Sequence, residues 1–385
     1  MSRKIRMGMV GGGRDAFIGA VHRMAAALDG HIELVCGAFS SDPERSRASG
    51  ADLYLPANRV YGDYQEMMAA EAKLPAGERM DFVSIVTPNY VHFPVAKAAL
   101  EGGFHVMSDK PMTFDLAEAK ELAALVESTG LQFGLTHNYT GYPMVKEARH
   151  MVRNGAIGAV RKVVVEYPQG WLASLIESDG QKQASWRTDP ARAGASSCMG
   201  DIGTHAENLM EYITGLKIAS LCADLTTMVE GRQLEDDGNV LVRLDNGARG
   251  VLYASQISAG EENPLTIRVY GELAGLEWHQ EEPNTLTVKW GDRHREVRRT
   301  GVGELSDASA AHTRLPAGHP EGFVEAFANL YRNYALALQA RLAGEQPDPE
   351  HLDFPTVQDG VRGMAFITAC VASSASDQKW TELEA

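Results

Sequence analysis

The chain has 385 residues, 44% of them hydrophobic, and a formal net charge of −15. That length suits two domains with sizeable cores, and so acidic a surface repels nucleic acid and anionic membranes, so neither is expected as a partner. The four cysteines, Cys36, Cys198, Cys222 and Cys370, form no CxxC pair and read as reduced thiols of a cytoplasmic protein. The opening segment MSRKIRMGMVGGG is basic, but Arg6 and the glycines break its apolar run, which does not fit a secretory signal. No window reaches the ~18 apolar residues of a membrane span.

The first third alternates strand-like and helix-like segments. Short apolar runs at 4–10, 32–39, 81–87, 104–108 and 131–137 have the Val-, Ile- and Phe-rich character of strands buried on both faces. Helical patterns lie between them at 17–29, 42–50, 62–73, 91–102 and 115–129. Asp115 with Glu118 three residues on is a capping-box pattern. Strict alternation implies βαβ units and a doubly wound parallel sheet.

Beyond about residue 140 the pattern changes. A helix ends at Gly155, and strand candidates follow at 160–167, 218–227, 238–244, 248–255, 264–270 and 285–290, several separated by turn signals such as DDGN and LDNGAR. This reads as a large, mostly antiparallel sheet, with one helix at about 200–214. The stretch 291–319 reads as a flexible surface loop, and the C-terminus returns to helix.

VGGGRDAFIGAVHR, residues 10–23, follows the first strand and precedes a helix. Gly11, Gly13 and Ala16 fit the G-x-G-x-x-G/A fingerprint, in which glycines allow a tight turn and close approach of backbone to a pyrophosphate. The helix start then offers N–H groups to an anion. Gly11, Gly13, Arg14, Ala16, Phe17 and Ile18 are therefore the expected cofactor rim; a glycine-rich turn without a ligand is the plain alternative. Thr87, Pro88, Asn89 and His92 close one strand and open a helix, and Asp109, Lys110 and Pro111 close another. Ligands of such sheets bind at the carboxyl ends of strands, so both motifs are expected to face the cofactor, with Asn138 beside them.

These residues, together with TPNYVH, GGFHVMSDKP, GAIGAVRKV, WRTDPARAG and GDIGTHAENL, resemble the Gfo/Idh/MocA family of nicotinamide-dependent oxidoreductases over nearly the whole chain. The resemblance implies a Rossmann domain over 1–140. It implies a substrate-binding and oligomerisation α/β domain with an open, mostly antiparallel sheet over 141–385, its C-terminal helices packing back on the first domain. It also implies a homodimer or homotetramer. Two departures stand out. The family's G-x-G-x-x-G-x-x-H has its last part, Gly19 to His22, three residues late, so either Ala16 or Gly19 could be the third small residue. Asp109 stands where the family usually has Glu.

The second strand tip, CGAFSSDPERS, leaves the nicotinamide open. Ser40 and Ser41 could hold a 2′-phosphate with Arg45 or Arg47. Asp42 could serve a 2′-hydroxyl or cap the helix that Pro43 begins. NAD is the first expectation and NADP the second.

Oxidation of a secondary alcohol needs a base for the hydroxyl proton and a group to stabilise the alkoxide. Lys110 is one candidate, the plain reading being a lysine in a turn. Asp201 and His205, four apart, share one face of a regular helix, and a histidine suits proton transfer near neutrality; an ordinary ion pair or half a metal site is the alternative. In the resembled family the matching His takes the proton and the matching Asp binds substrate. No metal is expected. Tyr139, Trp171, Trp186 and Arg187, the last three read as loop residues, offer flat faces and hydroxyl contacts to a sugar ring, or else are core. His22, His92 and His137 have a plain structural reading, and the other histidines read as surface residues. The expected function is NAD(P)-dependent oxidation of a ring hydroxyl on a sugar, sugar derivative or cyclitol. The rivals are redox-assisted glycoside cleavage and a non-catalytic sensor.

Overall fold

A computed structural model describes residues 3–384. The chain divides into two compact units, Met1–Asn138 with Phe323–Val361, and Tyr139–Gly322 with Arg362–Ala385.

The first unit holds a five-stranded parallel sheet in the order β2-β1-β3-β4-β5. Its strands are β1 (Ile5–Gly11), β2 (Ile32–Ala38), β3 (Phe82–Val86), β4 (His105–Ser108) and β5 (Phe133–Leu135). All pairs are parallel, in register Met7↔Phe82 and Phe82↔His105 across its centre. Burial is continuous along β3 and along β1 up to Val10, including Arg6 and Ser84, as in a sheet covered on both faces. The helix Phe323–Leu342 packs onto the helix Phe17–Leu28 and adds Phe327, Tyr331 and Tyr334 to the core around Ile5, Met7, Met9 and Phe82. The capping signal at 115–118 forms with one shift: Asp115 accepts from Glu118 N at 2.9 Å, but the Glu118 carboxylate reaches Phe114 N at 3.0 Å.

The second unit is built on a nine-stranded sheet, order β13-β12-β11-β10-β6-β9-β8-β7-β14. Its strands are β6 (Lys162–Pro168), β7 (Ile218–Thr226), β8 (Asp237–Leu244), β9 (Arg249–Ser255), β10 (Thr266–Tyr270), β11 (Ala274–His279), β12 (Thr285–Trp290), β13 (Glu296–Arg299) and β14 (Thr381–Glu382). Every pair is antiparallel except β6 with β9. Burial alternates strictly along β6 and β8, so one sheet face carries the core.

Several expectations need correction. β11, β13 and β14 are additional strands; β14 has two residues, β13 (EVRR) is charged, and β11 (AGLEWH) opens on Ala-Gly and is broken by Glu277, so none shows a strand-like apolar run. The stretch 291–319 is not merely a loop. It contains β13 and the helix Asp307–Ala311, and the buried Glu147 carboxylate accepts from Ser306 N at 2.9 Å. The helix placed at 200–214 begins as a π-turn, Met199–Gly203, and becomes α-helical only over Thr204–Thr214. Regular i, i+4 spacing therefore does not apply across Asp201. Trp186 and Arg187 lie in a short helix, Lys182–Arg187, rather than a loop. His105 is a partly buried acceptor for Gln132 N, and His312 is buried; neither is a free surface residue. Among the described residues no helix is long and apolar enough to cross a membrane.

Candidate active site

In the first unit, the glycine loop is shaped by close backbone approach. Gly11 has φ +81°, and a Cβ there would stand 2.6 Å from the Val86 carbonyl oxygen. A Cβ on Gly19 would stand 2.3 Å from Gly12 Cα. Gly19, not Ala16, is therefore the small residue that lets helix and loop pack, which settles the choice left open by the sequence. Ala16 is instead the N-cap of the helix Phe17–Leu28.

That helix start has no side-chain cap and no acid in its first turn, and the same holds for Asn89–Glu101 behind Pro88. The neighbouring helices starting at Pro43, Tyr64 and Leu116 are each capped by an aspartate: Asp42, Asp63 and Asp115. The two helix ends that follow β1 and β3 thus keep backbone N–H groups for an anion. The three glycines and this uncapped end fit a dinucleotide pyrophosphate, which Gly11, Gly12, Gly13 and Ala16 would hold. Around the loop, Phe17 is 70% exposed and Ile18 packs on the core. Arg14 turns toward Asp52, and Ser40 accepts from Asp42 N.

The motifs after β3 and β4 are clamped together. His92, fully buried, places Nδ1 2.7 Å from Pro111 O and Nε2 2.8 Å from Thr87 O. Burial lowers its proton affinity, against the pull of Asp109 and of the two carbonyls. Both ring nitrogens face backbone carbonyls, so whichever carries the proton donates to one of them, and the ring lies between the Thr87–Pro88–Asn89 turn and the Lys110–Pro111 turn. Asp109 Oδ1 accepts from Lys110 N at 2.9 Å and from Thr136 Oγ1 at 2.8 Å; Oδ2 lies 3.8 Å from His22 Nε2. Burial alone would raise this carboxyl, but His22, Lys110 and His92 hold it well below the usual carboxylate range. His137, buried nearby, is pushed down to about 3 by burial and by the Lys110 charge. Asn138 closes this unit in a 3-10 turn, buried like Asn89.

In the second unit, the π-turn carries Asp201. It forms because the buried Glu235 carboxylate accepts from Ser196 Oγ, from Ser197 N at 3.0 Å and from Met199 N at 3.0 Å. Gly200 N donates to Ser196 Oγ at 2.9 Å. Asp201 Oδ2 accepts from Arg187 Nε at 3.2 Å and Gln256 Nε2 at 2.9 Å. Arg187 lies over the Trp186 ring, 4.2 Å from its centre, and 5.9 Å from that of Trp171. Trp171 Nε1 donates to Gln169 Oε1, which belongs to a chain of side chains running through Asn263 to Tyr167.

His205 follows in the first α-helical turn, buried, with Tyr139 edge-on at 4.8 Å and Tyr167 at 6.4 Å. The Tyr139 and Tyr167 hydroxyls bond each other, and Asn263 Nδ2 donates to Tyr139 Oη at 3.2 Å. The structure therefore brings Tyr139, Trp171, Trp186, Arg187, Asp201 and His205 into one connected cluster. It adds Tyr167, Glu235, Gln256 and Asn263, which the sequence reading passed over. Tyr167 is an inward position at the end of β6 and Gln256 a polar residue just beyond β9; those placements were the available signals. Among the described residues no group of three or more His, Cys, Asp or Glu could hold a metal.

Fold and sites together define a dinucleotide-binding oxidoreductase. Residues 5–137 match the family described as "Oxidoreductase family, NAD-binding Rossmann fold", and residues 145–277 match the GFO/IDH/MocA C-terminal domain. The chain belongs to the GFO/IDH/MocA oxidoreductases. It is 37% identical to the uncharacterized oxidoreductase YfiI of Bacillus subtilis, across 100% of this chain and 98% of that one. An oxidoreductase from Sinorhizobium meliloti superposes with TM-score 0.89 at 46% identity, covering 99% of this chain and 100% of the other. An inositol dehydrogenase homologue from Azotobacter vinelandii, solved with NAD+, superposes with TM-score 0.94 at 36% identity, covering 99% and 98%.

Proposed function

We propose that this oxidoreductase converts a secondary ring hydroxyl of a sugar, sugar derivative or cyclitol to a ketone, or catalyses the reverse reduction. The bound nicotinamide supplies the hydride acceptor. In this reading Gly11, Gly13, Ala16, Thr87, Pro88, Asn89 and Asn138 hold the dinucleotide, and Asp109 and His92 set the position of Lys110. His205 takes the hydroxyl proton, Lys110 assists at the same oxygen, and Asp201 grips a neighbouring hydroxyl. Trp171, Trp186 and Arg187 bind the ring, and Tyr139 orients His205.

The observation that carries the reading is the second-unit cluster. A buried imidazole is flanked by Tyr139 and Tyr167, and the π-turn just before its helix carries a carboxylate held by Arg187 and Gln256. A proton acceptor and a hydroxyl-binding group, both fixed before substrate arrives, are what alcohol oxidation requires. Relatives add support: the Azotobacter homologue was also solved with NADH and myo-inositol, and a D-apiose dehydrogenase from Paraburkholderia graminis is 30% identical over 62% of this chain. A homodimer or homotetramer belongs to the same reading and is checked by light scattering.

The test is a nicotinamide-absorbance screen of sugars and inositols with both cofactors, run beside His205→Ala and Lys110→Ala. Turnover by the parent and its collapse in both variants is the expected result. Release of an aglycone without net cofactor change would favour glycoside cleavage, and binding without turnover would favour a sensor.

A further inference from the structure

A Rossmann unit holds the adenosine ribose at the tip of its second strand, where a carboxylate favours a plain 2′-hydroxyl and an arginine accommodates a 2′-phosphate. In this chain the tip of β2 is tied to the glycine loop by Gly13 N–H donating to Phe39 O at 3.2 Å. Arg14 and Asp15, which follow Gly13, therefore stand beside that tip, and each charged group there has a partner. Asp42 Oδ1 accepts from Glu44 N at 2.9 Å as a helix cap. Arg14 binds Asp52 through two hydrogen bonds, 2.6 and 2.8 Å. Arg45 donates to Asp15 Oδ2 at 2.9 Å and to Arg14 O at 3.3 Å. Asp15 reaches Arg45 from a left-handed backbone, φ 62°, a conformation that Asp tolerates better than most residues. Arg47 pairs with Glu44. Four carboxylates (Asp15, Asp42, Glu44, Asp52) thus surround three guanidinium groups (Arg14, Arg45, Arg47), and the rim is net negative.

We propose that Asp15 and Asp52 make this chain selective for NAD over NADP, by occupying Arg45 and Arg14 and opposing a 2′-phosphate with like charge. The discrimination works by repulsion and by prior commitment of the cations, in addition to any contact with the 2′-hydroxyl. The proposal rests on the reading of the glycine loop as a dinucleotide site. Both ion pairs are exposed, Arg14 and Asp52 each at 52% and Arg45 and Asp15 at 48% and 76%, and exposed pairs contribute little to stability. Neutralising the acids therefore leaves the fold intact and isolates the effect on binding.

The experiment is fluorescence titration of the full chain with NADH and with NADPH. The parent should bind NADH at least ~10-fold more tightly than NADPH, and Asp15→Asn/Asp52→Asn should tighten NADPH ~10-fold while NADH stays within ~3-fold. Adding Arg14→Ala/Arg45→Ala to that variant should erase the gain, because the freed arginines are what the phosphate would meet. A parent that binds NADPH as tightly as NADH overturns the proposal, as does an unchanged ratio in the double variant. If the parent binds neither dinucleotide, the cofactor reading itself falls and the selectivity with it.

Discussion

Around Lys110 the groups are held largely by backbone: His92 spans Thr87 O and Pro111 O, and Asp109 takes Lys110 N. Around Asp201 and His205 they are held by side chains from distant segments: Arg187, Gln256 and Asn263, with Glu235 beneath the π-turn. The first arrangement depends on short motifs that fold locally once the strands are in place. The second depends on several long-range bonds made together, so it can be loosened without unfolding anything. Apart from Lys110 itself, substitutions in the first unit should therefore act on stability and dinucleotide affinity, and those in the second on turnover.

The largest effect separates the two. His205→Ala should lower turnover by about 10²–10⁴-fold, the usual contribution of a positioned acid–base group, with NADH affinity unchanged in a fluorescence titration. Next comes acid stability. His105 Nδ1 accepts a backbone N–H and burial lowers its pKa to about 4; His137 is lowered to about 3. Both are neutral when folded, so the unfolded chain binds more protons below pH ~6.5 and stability falls as pH drops from there toward 4. His105→Asn keeps an acceptor for Gln132 N, and should remove about 3 kcal/mol of that fall in urea titrations at pH 7 and pH 4. An unchanged pH slope would show that His105 is not the source.

Gly19→Ala forces a methyl onto Gly12 backbone and should cost about 1–3 kcal/mol by denaturation, with weaker NADH binding. Stability and affinity equal to the parent would mean the loop can shift freely. The smallest effect sharpens the contrast from the other side. Arg187→Ala should reduce kcat/KM about tenfold, by ~1.4 kcal/mol, through a less constrained Asp201, leaving the denaturation midpoint almost unmoved. A large loss of stability instead would make Arg187 a folding residue.

How much of this could be read in advance follows the same division. The five parallel strands, the glycine loop, Thr87–His92 and Asp109–Lys110 were legible because apolar runs and turn residues lie next to one another in the chain. The π-turn was not, since its register is set by Glu235 capping a segment more than thirty residues earlier. Tyr167, Gln256 and Asn263 join the cluster only when β6, β9 and the segment before β10 are laid side by side. Gly19 was visible as a small residue, but only the collision with Gly12 distinguishes it from Ala16. The Asp42 cap and the Arg14–Asp52 pair were likewise not legible, because each residue type suits more than one role until the fold brings its partner close.

The central claim is that His205 accepts the substrate proton, and the pH dependence of kcat/KM with the best polyol from the screen tests it most directly. The account predicts an acid limb in the parent that disappears in His205→Ala together with most of the rate, while NADH still binds. A variant that kept the parent's rate and the parent's acid limb would contradict it.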